Sequence, residues 1–152
     1  MTLRTESRTT IAGSVDEVWA YFCDVGRWPE WAPTVLECWV RDGGPLQAGA
    51  WVEQRAKDRG WTHHRTEKVT AVEAPHNVEF AGTMGMSPAR WAMVLEPAGD
   101  RQTEATMWIE VDLAGVMRAV PGAVRGTLQR VSNREMAAIK SAVESAPQGA
   151  GS

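Results

Sequence analysis

The stretch from Thr34 to Leu113 restricts the fold most, because it is a series of strand-like runs separated by turn chemistry. Gly, Pro, Asn and Asp gather at five points, which are residues 42–45, 58–60, 74–77, 85–88 and 97–100. Short connections of this kind join neighbouring antiparallel strands as hairpins. The pattern therefore predicts an antiparallel meander of six strands.

The segment before this meander predicts one more strand and two short helices. Residues 3–11 alternate between apolar or small side chains and charged ones, with the period of a half-buried strand. Ser14 and Glu17 then form a capping box, and apolar residues follow at helical spacing. We expect Gly26 to end this helix and residues 28–33, which are bracketed by prolines, to form a second helical turn.

The last predicted element is a long amphipathic helix from about Val120 to Glu144. Its apolar stripe has a period of about 3.6 residues and consists of Val120, Val124, Leu128, Val131, Ala138, Ile139 and Ala142. Residues 147–152 are small and polar, so we expect a disordered tail after a single domain at residues 1–146. The expected fold class is α+β, with a curved seven-stranded antiparallel sheet around the long helix.

Composition limits the classes of partner and the cellular location. The chain has a net charge of -3 with both signs interspersed, which argues against nucleic acids and membrane surfaces as partners. No window approaches the ~18 consecutive apolar residues of a membrane span. Cys23 and Cys38 lie in hydrophobic stretches and residues 1–4 lack an apolar run, so we expect a cytoplasmic location. The sequence leaves the oligomeric state open between a monomer and a homodimer.

Several segments resemble the START-like polyketide cyclase/dehydrase and lipid-transport superfamily. The similar stretches are Ser14–Trp19, Trp28–Trp31, Leu46–Ala50 and Met136–Lys140, the last followed by Glu144. The resemblance implies a helix-grip fold, with a ligand between the concave face of the sheet and the long helix. It also implies a superfamily that contains carriers, cyclases and hydrolases.

The strand that begins at Trp61 holds the main catalytic candidate. Residues alternate in direction along a strand, and Trp61 and Val69 indicate that the odd-numbered face points inward. The stretch Trp61–Arg65 resembles the Trp-x-x-His-Arg strand of type II polyketide aromatase/cyclases, and this implies that Arg65 contacts the polyketide chain. A guanidinium suits that task because its fixed fork of donors holds a carbonyl or enolate oxygen.

An alternative role and a missing residue both weaken this interpretation of Arg65. The side chain could instead form a structural ion pair with Glu53 or Glu67 across the sheet. The chain also departs from the cyclase pattern, since Val35 stands where those enzymes place a pocket tyrosine. That departure weakens the case for proton transfer at the site.

His63 is the candidate general base, because the pKa of an unperturbed imidazole lies near neutrality. The alternative is a hydrogen-bonded histidine without a catalytic part. His63 and His64 cannot hold a metal together, since strand neighbours point to opposite faces. His76 stands alone in a turn and no Cys-x-x-Cys or cofactor fingerprint occurs, so we expect neither metal nor cofactor.

Glu135 is the unusual residue of the long helix, because it lies on the predicted apolar stripe. A carboxylate in that position must be paired or protonated. One interpretation is a buried pair with Arg65 across the cavity. The other is a small rotation of the helix, so that Met136 packs inward and Glu135 meets solvent at a cavity mouth.

The chain has 8 Trp but only 2 Phe and 1 Tyr, and flat aromatic side chains suit the walls of a site for a cyclic ligand as well as a core. The candidate ligand-binding residues are Trp28, Trp31, Trp51, Trp61, Glu67, Phe80, Met84, Trp91, Met93, Met107, Leu128 and Glu135.

Three functions remain open at this point. The first is a polyketide cyclase/dehydrase-like enzyme that binds a hydrophobic, cyclic small molecule and promotes ring closure or loss of water. The second is a non-catalytic carrier or sensor of a lipid, quinone or similar ligand. The third is a co-chaperone-like interaction domain of the same fold, which would need an exposed apolar patch.

Overall fold

The computed structural model describes residues 1–146, and the predicted disordered tail lies outside this range. Within it, seven strands form one antiparallel sheet in the order β1-β7-β6-β5-β4-β3-β2. The strands are β1 (Thr2–Ala12), β2 (Val35–Val40), β3 (Trp51–Asp58), β4 (Trp61–Glu73), β5 (Asn77–Met84), β6 (Ser87–Gly99) and β7 (Gln102–Asp112). The predicted meander from β2 to β7 is confirmed, and β1 joins it beside β7.

The alternation seen in the sequence places one side of each strand inside. In β1 the inward residues include Leu3, Thr5, Ser7 and Ile11, which are buried, while the charged residues between them are exposed. In β3 the even-numbered residues Val52, Gln54 and Ala56 are the buried ones. The odd-numbered residues of β3 therefore lie on the convex outer face.

Two short helices follow β1, as predicted. The first, α1, spans Val15–Cys23, and its N-terminus is capped by Ser14, whose Oγ accepts a hydrogen bond of 3.2 Å from the Glu17 backbone N–H. The second is a 3-10 helix at Val25–Glu30. It begins three residues earlier than predicted and contains Gly26, because the chain leaves α1 at Asp24 and the Arg27 N–H bonds to the Asp24 carbonyl.

The long helix, α2, spans Pro121–Ser145 and runs alongside β1. Its polar side chains donate to carbonyls of that edge strand: Arg125 Nη1 to Arg4 O at 2.8 Å, Gln129 Nε2 to Glu6 O at 2.8 Å and Lys140 Nζ to Thr10 O at 2.6 Å. Groups that would otherwise be unpaired at the sheet edge are thereby satisfied.

This docking fixes the rotation of α2, and the rotation differs from the predicted one. Ser132, Met136, Ile139 and Val143 are the buried residues, whereas Val131 is exposed. The prediction that Val131 packs inward is therefore wrong, and the alternative in which Met136 packs inward is observed. The order of elements and the sheet wrapped around one long helix match the predicted helix-grip fold. Residues 1–146 contain no helix that is long and apolar enough to span a bilayer.

Candidate functional site

Arg65 lies on the inward face of β4, as the predicted register requires. Arg65 and Glu67 are half-buried and Val69 is fully buried, whereas Thr66 and Lys68 are exposed. The guanidinium Nη2 donates to Gln54 Oε1 at 3.1 Å and reaches Thr34 Oγ1 at 3.4 Å. Its Nε is buried and has no hydrogen-bond acceptor within residues 1–146.

The alternative of a structural ion pair at Arg65 is not observed in the described part of the chain. Glu53 lies on the convex face, where it accepts hydrogen bonds from His64 at 2.9 Å and from Arg41 at 3.5 Å. Glu67 affects Arg65 only through space, since its hydrogen-bond donor is Trp91. The guanidinium thus keeps donor capacity that the protein does not use.

Glu67 is held inside the sheet by a neighbouring indole and by a glycine. Its Oε2 accepts a hydrogen bond of 3.1 Å from Trp91 Nε1. Burial raises the pKa of the Glu67 carboxyl, and the indole N–H and the Arg65 charge oppose this rise. The space for its side chain comes from Gly82, where an added Cβ would lie 3.2 Å from Glu67 Cγ.

Glu135 projects from α2 into the same electrostatic environment. Burial raises the pKa of its carboxyl to about 7; the nearby Arg65 charge lowers it and the nearby Glu67 charge raises it. The side chain is nevertheless half-buried rather than fully buried by solvent accessibility. Partial accessibility together with strong desolvation is expected for a group that lines a recess. Glu135 forms no ion pair with Arg65 in residues 1–146, so of the two alternatives for this residue the buried pair is not observed.

An aromatic cluster lies next to these polar groups. Phe80 and Trp91 stack with their ring centroids 4.4 Å apart, and Phe22 and Trp31 stack at 5.6 Å. Trp28 contacts all four of these rings and donates its indole N–H to the Phe22 carbonyl at 2.8 Å. The Trp31 Nε1 is buried without an acceptor in the described residues.

Three predicted site residues lie elsewhere than expected. Trp51 is on the convex face, where the guanidinium of Arg41 lies 5.0 Å from its ring centroid, so the prediction that it lines the interior is wrong. Trp61 is 77% exposed at the β3–β4 turn and lies at the rim rather than in a wall. His63 is also exposed, two residues after Trp61 on the same face of β4.

The remaining predicted residues belong to two inward-facing clusters. Met93 and Met107 are opposite each other on β6 and β7 and are fully buried within the main core. Met84 and Leu128 are half-buried and pack against a second cluster formed by Leu3, Val111 and Leu113.

Sequence reasoning missed Gln54 and Thr34, the two residues that hold Arg65. Gln54 is 3% exposed between Val52 and Ala56 on the inward face of β3. The alternation of that strand could have identified it, since a polar residue at a buried position needs a hydrogen-bond partner. Thr34 precedes β2 and has no comparable pattern in the sequence.

The two thiols offer no alternative chemistry in this region. Burial raises the pKa of Cys23 and of Cys38 to about 12, so both are protonated at neutral pH and are poor nucleophiles. No group of three or more His, Cys, Asp or Glu side chains in residues 1–146 is arranged to hold a metal ion.

The family of this chain follows from its sequence. Residues 2–144 match the model of the family described as polyketide cyclase / dehydrase and lipid transport. The chain belongs to this family. Among curated proteins, none matches the sequence significantly.

Solved structures similar to this member of the family include proteins described as ARO/CYC or aromatase/cyclase. The di-domain ARO/CYC BexL from the BE-7585A biosynthetic pathway has a TM-score of 0.78 at 16% identity over 93% of this chain, which spans only 46% of BexL. The Zhui aromatase/cyclase from Streptomyces sp. R1128 has a TM-score of 0.70 at 17% identity, with 95% and 92% of the two chains covered. A norcoclaurine synthase from Thalictrum has a TM-score of 0.69 at 16% identity, with 94% of each chain covered. At these identities the likeness establishes the shared fold.

Proposed function

We propose that this protein binds a hydrophobic, cyclic or cyclising polyketide-like molecule between α2 and the concave face of the sheet, and promotes its ring closure or dehydration. The observation that carries the proposal is the inward-facing Arg65, whose buried Nε has no acceptor among residues 1–146 and which lies near two carboxyl groups with raised pKa values. A buried donor without a partner is costly, so it is commonly satisfied by water or a ligand.

Arg65 is the residue proposed to stabilise negative charge on the ligand's carbonyl oxygen. Gln54 and Thr34 hold one end of the guanidinium, and Nε is left to meet a ligand oxygen. In an aldol-type closure, a proton leaves the carbon next to a carbonyl and negative charge develops on the carbonyl oxygen. A donor aimed at that oxygen lowers the activation barrier. Removal of one such donor from other enzymes raises the barrier by roughly 3 kcal/mol.

Glu135 is the proposed proton carrier. A pKa of about 7 lets the carboxyl both take and return a proton near neutral pH. As a base it removes the acidic proton, and the resulting enolate carbon attacks a second carbonyl, whose oxygen then takes up a proton. Loss of that hydroxyl as water, together with a neighbouring proton, completes a dehydration. His63 is exposed at the hairpin, so Glu135 and not this imidazole is proposed for the proton transfer.

The aromatic cluster supports a flat ligand. Phe80, Trp28 and Trp31 are buried and pack with the half-buried Trp91 beside Glu67, and few polar groups in an apolar surround are typical of small-molecule sites. A flexible chain held in a folded shape against this cluster would gain part of the catalysis through proximity.

A carrier or sensor of a lipid, quinone or related hydrophobe is the second candidate. The family description includes lipid transport, and the predicted base His63 is outside the interior. In this case Arg65 would orient the polar head of the ligand without chemistry.

Fluorescence titration separates the two candidates. Intrinsic Trp fluorescence is followed while linear poly-β-carbonyl mimics, polycyclic aromatics, quinones and fatty acids are added to the wild type, to Arg65→Met and to Arg55→Met. Arg55 is the matched control, because it lies on the convex face of β3 in an ion pair with Glu37. We expect saturable quenching by the polyketide mimics that Arg65→Met weakens by about 1–3 kcal/mol, and that Arg55→Met leaves unchanged.

Turnover assays complete the test. Glu135→Gln should retain ligand affinity and lose rate, and the wild-type rate should show an inflection near pH 7 that the variant lacks. Binding of quinones or fatty acids that is indifferent to Arg65→Met would favour the carrier. If no compound in the panel binds saturably, the proposed ligand class is wrong.

A further inference from the structure

A group of exposed apolar side chains surrounds one end of the sheet. Trp61 is 77% exposed, Met86 82% and Val116 86%, and Val120 and Val131 are also exposed. Trp61 lies at the β3–β4 turn, Met86 at the β5–β6 turn and Val116 in a 3-10 helix at Gly115–Ala119. Exposed apolar side chains that gather on one part of a surface can mark a site of interaction.

The topology brings these segments to a common end. The β3–β4 and β5–β6 turns lie at the same end of an antiparallel meander, and β7 finishes there, leading into Gly115–Ala119 and the start of α2. Arg125 of α2 bonds to Arg4 near the beginning of β1, which places the N-terminal half of the helix at this end as well. We refer to residues 57–63, 84–87 and 114–131 as the open end.

The open end is strongly cationic although the whole chain is acidic. It contains Lys57, Arg59, Arg118, Arg125 and Arg130 against one acidic residue, Asp58. The rest of the chain contains 11 Lys and Arg against 18 Asp and Glu. None of the five cations forms an ion pair within residues 1–146; Arg125 and Arg130 donate to a backbone carbonyl and to a hydroxyl.

Both the shape and the charge of this surface fit a lipid bilayer. The apolar side chains project from separate tips, so each can enter the headgroup region without a complementary protein pocket. Trp favours that region because its ring is apolar and its indole N–H remains hydrated. Each Lys or Arg near an anionic leaflet adds further attraction, and the acidic remainder of the molecule is repelled from it.

We infer that the open end docks on the surface of an anionic lipid bilayer, with Trp61, Met86 and Val116 in the headgroup region and Arg59 and Arg118 on lipid phosphates. This interaction is peripheral and is independent of the proposed chemistry. It departs from the sequence-based expectation that membranes are unlikely partners, which rested on the overall net charge and not on the local excess of cations at the open end.

Vesicle flotation at low ionic strength tests the inference. The full chain is mixed with vesicles of equimolar phosphatidylcholine and phosphatidylserine, or of phosphatidylcholine alone. We expect binding to the former, weak binding to the latter and release by salt. Trp61→Ser should lower the partition coefficient strongly, and each of Arg59→Gln and Arg118→Gln should lower it about fivefold. These side chains are exposed, so the variants are expected to fold.

Trp39→Ser is the matched control, because Trp39 is also an exposed tryptophan but lies on the convex face beside His64. It should bind vesicles like the wild type. The inference is overturned if the wild-type protein does not bind anionic vesicles. It is also overturned if Trp61→Ser binds them as well as Trp39→Ser does. If the wild-type protein does not bind vesicles but Trp61→Ser and Arg118→Gln disrupt a complex with an acidic protein, the surface is a protein interface. The bilayer assignment is then wrong.

Discussion

Trp91 Nε1 donates a hydrogen bond of 3.1 Å to Glu67 Oε2, reaching from β6 to β4 across the strand between them. Within residues 1–146 this indole is the side chain that donates to Glu67, whose pKa is raised by burial. The bond links the aromatic cluster to the polar groups of the site, and so the position of one depends on the other.

Trp91→Phe removes this donor while keeping an aromatic ring. We expect a loss of about 1–3 kcal/mol in the free energy of unfolding, since Glu67 is left without its partner. The loss should be full where Glu67 is ionised and should shrink as the pH falls and the carboxyl becomes protonated, because the indole N–H stabilises the charged form. Urea titrations at several pH values measure both effects.

Trp108→Phe is the comparison for this substitution, because Trp108 lies on the outer face with the Arg4 guanidinium 4.7 Å from its ring centroid. It should cost less and show no such pH dependence. Equal midpoints for Trp91→Phe and the wild type would show that the hydrogen bond to Glu67 does not contribute to stability.

The raised pKa of Glu135 predicts a pH dependence of folding. Burial moves the pKa from 4.5 to about 7, so the folded chain binds this proton more tightly than the unfolded chain between those pH values. The free energy of unfolding therefore falls as the pH rises from about 4.5 to about 7. At 1.36 kcal/mol per pKa unit, Glu135 contributes at most roughly 3 kcal/mol to this fall in the free energy of unfolding.

Glu135→Gln should remove that decline. The variant should match the wild type near pH 4 and exceed it in stability at pH 8, as measured by urea unfolding at each pH. Glu73→Gln, at an exposed carboxylate, should leave the wild-type profile intact. A Glu135→Gln profile that parallels the wild type would mean that Glu135 ionises freely in the folded protein.

The Ser14 cap of α1, which the capping box predicted, can be tested by substitution. Ser14→Ala removes the acceptor for the Glu17 N–H and should cost about 1 kcal/mol, whereas Ser14→Asp should preserve the cap. Thermal unfolding of the two variants measures the difference. If Ser14→Asp is as destabilised as Ser14→Ala, the side-chain cap is not the source of the effect.

The number of strands and the hairpin order of β2 to β7 were predictable because local patterns determine them, whereas the pairing of β1 with β7 joins distant residues and was not predicted. Alternation in β1, β6 and β7 and the turn residues between strands identify a meander whatever lies around it. The capping box and the 3.6-residue period located both α-helices to within a residue or two. These signals do not depend on how the elements later pack.

The positions of several site residues were not predictable because they depend on packing between elements. Hydrophobicity favoured Trp51 as an inward residue, but β3 buries Gln54 instead, and Gln54 is satisfied by Arg65 of the next strand. The rotation of α2 is set by its polar contacts with β1, which turn Val131 outward and Met136 inward. The contacts between α2 and β1 join residues more than 100 positions apart and leave no local pattern.

Gly82 offers the sharpest test of how the interior is built. An added Cβ would lie 3.2 Å from Glu67 Cγ and 3.4 Å from the Thr66 carbonyl oxygen, so Gly82→Ala must displace the Glu67 side chain. We expect a cost of about 1–3 kcal/mol in stability, a weakened hydrogen bond to Trp91 and lower affinity for the polyketide mimics. Urea unfolding and fluorescence titration measure these effects.

Gly126→Ala is the control, because its Cβ would meet only Arg130 Nη1 at 3.5 Å within α2, and it should stabilise the helix by about 1 kcal/mol. Affinity that is unchanged in Gly82→Ala despite lower stability would mean that Glu67 does not contact the ligand.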